Sequence, residues 1–342
     1  MSRRIAVFIG CVLIFMAVSL AAMPSFREIC RDLAQKNEKS SVIRGKDGWL
    51  FLKEELQHVG AGEFWGEGAG QASRTANKKF ADPLAPIFTY QKLLAEKGIT
   101  LYLMPVPPKV LIYPDKLVEG VTRQAAEQDQ KLYSEFYAIL RKGGVQVIDL
   151  MPTLLEKRDE MNVYCKTDTH FSGEGLALFA DAATDVIKQE KWYQAVVKKE
   201  FKHSSQEVGI VGDLSVMIGD TTVEEKLNLS VIKESKSGKL VASDNKSPVI
   251  LLGDSHTLVF SAGGDLHAKG AGLFDQLSAK LGFAVDLLGV RGSGVTPARI
   301  KLFQRSKKDG GYLEGKKVLI WCFTARDFTG TGGWKKIPVA PK

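Results

Sequence analysis

The chain has 342 residues, of which 44% are hydrophobic and 25% charged, an ordinary globular composition that excludes bulk disorder, collagen and a multispan membrane protein. Its formal net charge is +8, but the lysines form scattered pairs without interleaved aromatic residues, which argues against a nucleic-acid-binding protein. A mildly positive surface favours an acidic polymer or an anionic membrane surface as a partner, although simple solvation explains most of the lysines equally well.

The first 23 residues predict export across a membrane. Arg3 and Arg4 precede an uncharged, mostly apolar run over residues 5–23. This order is typical of a secretory signal peptide, and the run is also long enough for a membrane-spanning anchor. Cleavage after Ala21 is compatible with the small residues there, whereas an uncleaved anchor would keep both arginines in the cytoplasm. With either outcome we expect a periplasmic chain, in which residues 24–46 form a stalk or linker.

The four cysteines do not predict a disulfide framework. Cys11 lies in the apolar N-terminal run, which leaves the odd number of Cys30, Cys165 and Cys322. We expect Cys165 and Cys322 to be separately buried thiols, although both lie near apolar segments and could pair in an oxidising compartment. No Cys-x-x-Cys or Cys/His spacing indicates a structural zinc site.

Apolar runs alternate with amphipathic segments along most of the chain and predict an α/β fold. Strands are expected at residues 99–106, 145–150, 248–252, 283–290 and 317–323, and helices at 75–97, 122–142, 173–188, 272–281 and 297–307. This alternation implies a parallel sheet that is covered by helices on both faces.

Residues 201–245 interrupt the alternation. They are richer in Ser, Thr, Gly and charged residues, and residues 227–232 alternate like a half-exposed strand. We therefore expect an inserted β-rich segment within a single domain over residues 47–328. The remaining residues, 329–342, are predicted to form a loose C-terminal tail.

The clearest chemical motif follows the predicted strand 248–252, where the chain continues as Gly253, Asp254 and Ser255. Sites in open α/β sheets form at the carboxyl ends of the strands, so this turn predicts a nucleophilic serine. Its own N–H would lie at a helix N-terminus, where it could stabilise an oxyanion. The alternative is that Asp254 and Ser255 merely cap the following helix.

A serine nucleophile needs a base, and the chain has five histidines. His58 and His203 lie in polar stretches and are expected at the surface, and His267 falls in a glycine-rich loop. His256 directly follows the serine. Since adjacent side chains usually point apart, it is expected in the pocket wall rather than as the base.

His170 is the predicted base. Asp168 lies two residues before it, and in an extended backbone the two side chains project to the same side, with Cα atoms about 7 Å apart. The carboxylate can then hold one ring nitrogen while the other faces Ser255. The alternative places His170 beside a helix cap at Ser172, with Asp168 as part of a turn.

A metal site is a further alternative. Asp168, His170, Asp254 and His256 could supply oxygen and nitrogen ligands. They match no known metal spacing, and Ser255 would then have no role. We therefore expect neither a metal nor a cofactor.

Four segments together resemble the alginate O-acetyltransferase family of the SGNH hydrolase superfamily. They are Gly45–Phe51, Pro105–Pro114, Lys166–His170 and Gly253–Ser255. In most SGNH enzymes the serine block comes first, whereas in this family Asp-x-His precedes Gly-Asp-Ser, as it does here. The likeness spans roughly residues 42–328 and implies an SGNH-hydrolase-like fold.

The resemblance also implies a mechanism. Ser255 would attack an acyl donor, His170 would take its proton, and Asp168 would hold the imidazole. The acyl group would then pass to a hydroxyl of a secreted polysaccharide, either alginate or another exopolysaccharide. Acetyl-CoA is absent outside the cytoplasm, so the implied donor is a multispan membrane acyltransferase.

The residues that would assist the triad are less clearly marked. The oxyanion asparagine of many SGNH hydrolases is not identifiable, and backbone N–H groups of Ser255 and of the loop 291–294 are the substitutes. Arg291 could hold a carboxylate or carbonyl, and Arg326, Trp65 and the inserted segment could contact polymer, although salt bridges explain the arginines as easily. The full set of candidate oxyanion and substrate residues is Gly253, Asp254, His256, Arg291, Gly292, Ser293, Arg326 and Trp65.

Two other functions remain open on the sequence alone. An acetylesterase of the same fold would use the same triad and differ only in water access and acceptor binding. A non-catalytic glycan-binding subunit of the export machinery is the other, although the presence of serine, histidine and aspartate together argues against it.

Overall fold

The computed structural model describes residues 24–292 and 294–341, so the predicted export segment over residues 1–23 lies outside the described residues. Within these two ranges, none of the helices combines the length and the apolar character needed to span a bilayer.

A five-stranded parallel sheet forms the centre of the molecule, and three two-stranded antiparallel sheets lie around it. The strands of the described residues are β1 (Val42–Arg44), β2 (Leu50–Leu52), β3 (Thr100–Val106), β4 (Gln146–Val147), β5 (Phe201–Ile210), β6 (Glu225–Glu234), β7 (Val249–Gly253), β8 (Ala262–Gly263), β9 (Leu266–Lys269), β10 (Asp286–Gly289) and β11 (Val318–Thr324). The order in the central sheet is β10-β7-β11-β3-β4.

Helices flank this sheet and bury its central strands. The helices of the described residues are α1 (Phe26–Lys36), α2 (Lys53–Ala61), α3 (Ala69–Ala72), α4 (Leu84–Ala95), α5 (Lys109–Ile112), α6 (Glu127–Lys142), α7 (Met151–Lys157), α8 (Gly173–Lys188), α9 (Asp213–Met217), α10 (Leu273–Leu281) and α11 (Val295–Lys308). Every residue of β7 and β11 is buried, as expected for parallel strands that are covered on both faces. The predicted α/β class is confirmed.

Two predicted elements are shorter than expected. The helix expected from residue 75 begins only at Leu84, because Pro83 precedes it and the Asp82 carboxylate accepts the Leu84 N–H at 2.9 Å. The strand expected at residues 145–150 is reduced to the two residues of β4 at the edge of the sheet.

The predicted β-rich insertion is the antiparallel pair β5–β6, with the short helix α9 between the two strands. The Gln276 amide of α10 donates to the Ser230 carbonyl at 2.9 Å and fixes β6 against the helical layer. At the other end, the Leu214 N–H donates to the Thr167 carbonyl at 3.2 Å. The insertion therefore reaches the segment that carries His170.

Residues 24–46 do not form the predicted linker. Helix α1 begins at a capping box and buries Phe26, Cys30 and Ala34, which recur every four residues along one face. This face packs against α2. The segment is therefore part of the folded domain.

The prediction of a loose tail over residues 329–342 is also wrong. Trp334 is buried, its indole N–H donates to the Phe328 carbonyl at 3.2 Å, and Val339 is buried as well. The buried Arg299 guanidinium lies among the rings of Tyr90, Trp321 and Trp334, at 5.6 Å from the centroid of Trp334. A cation–π contact and apolar burial thus hold the tail.

The three cysteines of the described residues, Cys30, Cys165 and Cys322, are free and buried. This confirms the prediction of separate thiols for Cys165 and Cys322. Burial raises the pKa of both thiols well above the ordinary value, so they remain protonated and unreactive at neutral pH.

Candidate active site

The predicted nucleophile lies on a tight turn at the carboxyl end of β7. Ser255 is partly exposed and begins a short 3₁₀ turn, so its N–H has no acceptor within that turn. Gly253 is required before it, because a Cβ atom there would lie 1.9 Å from the Cys322 carbonyl oxygen. Asp254 does cap the turn, accepting the His256 N–H at 2.9 Å. Capping by Asp254 and a partly exposed serine therefore occur together.

The structure brings His170 and Asp168 to this serine. The His170 Nε2 is 2.8 Å from the Ser255 Oγ, and its Nδ1 is 2.6 Å from Asp168 Oδ1. A carboxylate only accepts, so Nδ1 carries the proton and Nε2 is left to accept the serine hydroxyl proton. Three side chains from two distant segments thus have the arrangement of a Ser-His-Asp triad.

Asp168 is almost completely enclosed by donors. Its Oδ1 also accepts the His170 backbone N–H at 3.0 Å, and its Oδ2 accepts the Asp213 N–H at 2.8 Å and the His267 Nε2–H at 2.9 Å. Burial by itself would raise the pKa of Asp168, but the two imidazoles outweigh burial and hold that pKa well below its usual range. The carboxylate therefore stays ionised opposite His170.

The pKa of His170 is raised above its ordinary value. Burial opposes this by disfavouring the imidazolium, but the Asp168 carboxylate and then those of Asp213 and Asp254 outweigh it. The Nδ1 of His170 is 3.9 Å from Asp213 Oδ2. The surrounding carboxylates thus make His170 more basic and would stabilise an imidazolium formed there.

Lys109 fixes the backbone of the segment that carries His170. Its buried ammonium donates to three carbonyls, those of Asp168 at 2.8 Å, Cys165 at 3.0 Å and Lys166 at 3.3 Å. Three carbonyls around one ammonium are a specific arrangement that holds the loop in its bent conformation. Lys109 belongs to the Pro105–Pro114 motif, to which sequence reasoning assigned no role.

The β5–β6 insertion binds backbone N–H groups of the same segment. The Glu225 carboxylate accepts the N–H groups of Lys166 and Thr167 at 2.8 and 3.0 Å, and Asp213 accepts the Thr169 N–H at 2.7 Å. Sequence reasoning missed both acids and His267, because each is distant in sequence and none belongs to a recognisable motif. The insertion is therefore a support of the site.

His256 forms part of the wall, as its position after the serine suggested. Its Nδ1 is 3.0 Å from Asp254 Oδ1, and Asp254 Oδ2 accepts the Thr324 N–H at 2.8 Å. The ring is buried, with its centroid 4.7 Å from that of His170. Against the effect of burial, His256 and the backbone donors lower the pKa of Asp254 to about 2.

Of the other histidines, His203 is exposed as expected, whereas the surface position predicted for His58 is wrong. His58 is buried between the Tyr133 hydroxyl, 2.8 Å from Nε2, and the Thr329 hydroxyl, 3.0 Å from Nδ1. Burial lowers the pKa of His58 to about 3, so it is neutral. Its partners come from segments that are distant in sequence.

The remaining substrate candidates are Trp65, Arg326 and the loop residues Arg291, Gly292 and Ser293. Trp65 is buried against Phe64 and Phe136, so the polymer contact predicted for it is wrong. Arg326 is largely buried, donating to the Thr324 hydroxyl at 2.8 Å, and lies 3.8 Å from Glu55, so it supports the site from within.

Arg291 and Gly292 lie in the loop that follows β10. The Arg291 guanidinium is half-exposed and 2.5 Å from the Asp265 carboxylate, an ion pair of the kind that was the alternative explanation. Gly292 has a φ of +58° and lines a surface cavity. Ser293 lies outside the described residues.

The atoms that could bind a metal are engaged in hydrogen bonds. The side-chain atoms of Asp168, His170 and Asp213 that could ligate a metal lie within 4.8 Å of one another. Both oxygens of Asp168 accept hydrogen bonds, and those of Asp213 accept the N–H and the hydroxyl of Thr169. The four residues considered in the sequence form two Asp–His pairs instead.

Comparisons with known proteins found relatives of this chain. At 25% identity, the chain resembles the probable alginate O-acetylase AlgJ of Pseudomonas aeruginosa over 84% of its own length and 70% of the relative. For AlgJ of Pseudomonas putida the identity is 24%, over 64% of this chain and 55% of the relative. The chain thus spans between 55% and 70% of the length of these relatives.

Two solved structures share the fold. The O-acetyltransferase domain of P. putida AlgJ superposes with a TM-score of 0.63 at 21% identity, covering 85% of this chain and 93% of that domain. P. aeruginosa AlgX gives a TM-score of 0.62 at 18% identity, over 87% of this chain and 66% of AlgX. Residues 42–325 match the model of the SGNH hydrolase-like domain, acetyltransferase AlgX. The chain therefore belongs to the AlgX-type family of SGNH hydrolase-like acetyltransferases.

Proposed function

We propose that this chain is an extracytoplasmic O-acetyltransferase that transfers acetyl through an acyl-Ser255 intermediate to hydroxyls of a secreted polysaccharide such as alginate. The observation that carries the proposal is the continuous chain of contacts from Ser255 through His170 to Asp168, at 2.8 and 2.6 Å. Membership of an acetyltransferase family and relatives named alginate O-acetylases support the reaction and the acceptor.

In the first half-reaction the Ser255 oxygen bonds to the acetyl carbon of the donor. His170 Nε2 takes the serine proton, and Asp168 stabilises the resulting imidazolium. When the tetrahedral intermediate collapses, the bond between the acetyl carbon and the donor breaks and His170 returns the proton to the leaving group. The Ser255 N–H, which has no acceptor within its turn, is suited to bind the oxyanion.

In the second half-reaction a sugar hydroxyl replaces the donor. Its oxygen bonds to the acetyl carbon while His170 takes its proton, and the bond to the Ser255 oxygen then breaks as the proton passes to that oxygen. The products are an acetylated sugar and free enzyme. An esterase would differ only in that water takes the place of the sugar.

We also propose that the donor is a multispan membrane acyltransferase and that the chain acts outside the cytoplasm. The Arg3 and Arg4 pair before the apolar residues 5–23 supports a signal peptide or an anchor. Fractionation of cells expressing the full chain tests the proposed location. Periplasmic or membrane-bound protein is expected, and recovery in the cytoplasm would contradict it.

The activity is tested with purified full-length protein, an aryl acetate as donor and mannuronate oligosaccharides as acceptor. Wild-type protein should form acetylated oligosaccharide, and Ser255→Ala should form none. Release of acetate without any acetylated sugar would instead identify an esterase, and sugar acetylation by Ser255→Ala would exclude the proposed intermediate.

A further inference from the structure

A surface cavity of about 350 Å³ lies between two loops at the carboxyl edge of the central sheet. The first loop follows β10, and the second follows β11. This cavity, here called the Asp327 cavity, is lined mainly by glycines and by the polar residues Glu54, Arg74, Thr296, Asp327 and Thr331, with Val295 and Pro297 as its apolar part. Its volume falls in the range of about 300–1,000 Å³ that is typical of small-ligand sites.

The two loops are joined directly to the nucleophile turn. Strands β10 and β11 are the two neighbours of β7, whose end carries Ser255. After β10, the Val290 N–H donates to the Gly253 carbonyl at 2.9 Å, and at the end of β11 the Thr324 N–H donates to Asp254 at 2.8 Å. A molecule in the cavity therefore lies on the same sheet edge as the nucleophile.

The carboxyl group of Asp327 is the unusual feature of this cavity. Its Oδ2 is shielded from solvent and has no hydrogen-bond partner in the described part of the chain. All three atoms of the carboxyl lie 3.3 Å from where a Cβ on Gly294 would stand, so a glycine there leaves room for the group. A shielded polar atom left unsatisfied costs free energy, and a rotation of the carboxyl that brings this oxygen to a hydroxyl in the cavity would recover it.

The charge state of Asp327 suits a hydroxyl partner. Burial, aided by Asp254 and Glu54 and opposed by Arg326 and Arg74, raises the pKa of Asp327 to about 7. Near neutral pH the group therefore exists in both forms, and it can accept from a hydroxyl or donate to one. Sugar hydroxyls both donate and accept.

We propose that the Asp327 cavity holds a pyranose ring of the acceptor polysaccharide and that the Asp327 carboxyl binds one of its hydroxyls. This inference rests on the proposed function, since only a transferase needs an acceptor site beside the acyl-serine. The polar lining fits a sugar, whereas the acetyl group of the donor is too small to need such a space. The cavity then decides whether the acyl-serine meets sugar or water.

The test measures the ratio of acetylated sugar to free acetate in full-length protein, with an aryl acetate as donor and mannuronate hexasaccharide as acceptor. Asp327→Ala removes the proposed hydrogen bond, and Thr331→Tyr places a larger side chain at the exposed rim of the cavity while keeping Asp327. Both should lower the ratio about tenfold or more, the loss expected for one hydrogen bond to a charged group. Asp185→Ala, at an exposed position on α8, is the control and should keep the ratio.

The outcomes are distinguishable. A wild-type ratio in both cavity variants overturns the acceptor site and leaves the acetyltransferase proposal intact. If Asp327→Ala does not fold, Thr331→Tyr decides alone. A wild-type protein that acetylates its serine but releases only acetate overturns the acetyltransferase proposal and the acceptor site with it.

Discussion

Two Asp–His pairs lie side by side in this site, and only one of them faces the serine. In both, a carboxylate two residues before the histidine accepts the ring Nδ1–H, at 2.6 Å from Asp168 to His170 and at 3.0 Å from Asp254 to His256. Both histidines are buried, with ring centroids 4.7 Å apart. Local spacing and burial are therefore the same for the two pairs.

The pKa values of the two histidines are nevertheless shifted in opposite directions. For His170, burial is outweighed by Asp168 and by the further carboxylates of Asp213 and Asp254, and the pKa rises. For His256, burial outweighs Asp254, while His170 and Arg326 lower the pKa further. An Asp-x-His motif thus does not by itself define a base. The surrounding charges and the position of the Nε2 atom decide it.

Substituting each histidine in turn should give the largest difference in kcat between the two pairs. His170→Asn removes the proton acceptor of Ser255, and kcat should fall by about 10⁶-fold, as for loss of a triad member. His256→Phe keeps an aromatic ring in the wall, so its loss should not exceed about tenfold, below the contribution of an acid–base group. Aryl acetate turnover measures both, and equal losses would contradict the assignment.

The two aspartates should differ next. Asp168→Asn leaves the shape of the site intact but no longer holds the reactive tautomer of His170, so kcat should fall about 10⁴-fold. Asp254→Asn, whose partner His256 takes no proton, should retain far more activity. Single-turnover acetylation of Ser255 compares the two directly, and a larger loss in Asp254→Asn would reverse their roles.

His267 sharpens the comparison, because it is a second histidine in contact with Asp168, whereas among the described residues His256 alone of the histidines contacts Asp254. His267→Ala leaves Asp168 Oδ2 with one donor fewer, and a poorly oriented triad should lose about 10- to 100-fold in kcat with little change in KM. His267→Gln keeps a side-chain N–H donor and should recover part of that loss. If Ala and Gln variants are equally active, His267 has no positioning role.

The pH profile provides a smaller but diagnostic effect. His170 must be neutral to act as a base, so kcat/KM should fall as pH drops through its raised pKa. Asp213→Asn removes one of the carboxylates that raise this pKa, and the acidic limb should move to lower pH. His256→Phe should leave the limb in place. An unchanged limb in Asp213→Asn would show that Asp213 acts only through the backbone.

Stability is expected to change least. The pKa of Asp254 is about 2 in the folded chain and roughly 3.9 unfolded, so its carboxylate stabilises the fold above pH 4 and loses this contribution as pH falls toward 2. Asp254→Asn should therefore be less stable than wild type at pH 6, by about 1–3 kcal/mol, and the gap should narrow at pH 3. Urea unfolding at the two pH values measures it.

Much of the fold was predictable because it depends on local patterns. The apolar runs that became β3, β7 and β11 are continuous, as parallel strands buried on both faces require. The turn at Gly253 and Ser255 followed from the position of small and polar residues at a strand end. The pairing of Asp168 with His170 followed from their two-residue spacing.

The supports of the site were not predictable, since they depend on contacts between distant segments. Lys109, Asp213 and His267 approach the His170 segment from three different elements. His58 lies in a polar stretch of sequence, but it is buried because the hydroxyls of Tyr133 and Thr329 satisfy both ring nitrogens. A residue is classed as surface or core only once its partners are known.

The most direct test of the central claim is intact-protein mass spectrometry of the full chain during turnover with an acetyl donor. The account predicts an adduct of one acetyl group located on Ser255, absent from Ser255→Ala and His170→Asn, present in His256→Phe, and discharged by oligosaccharide with formation of acetylated sugar. An adduct that forms equally well without His170, or that never reaches a sugar, would contradict it.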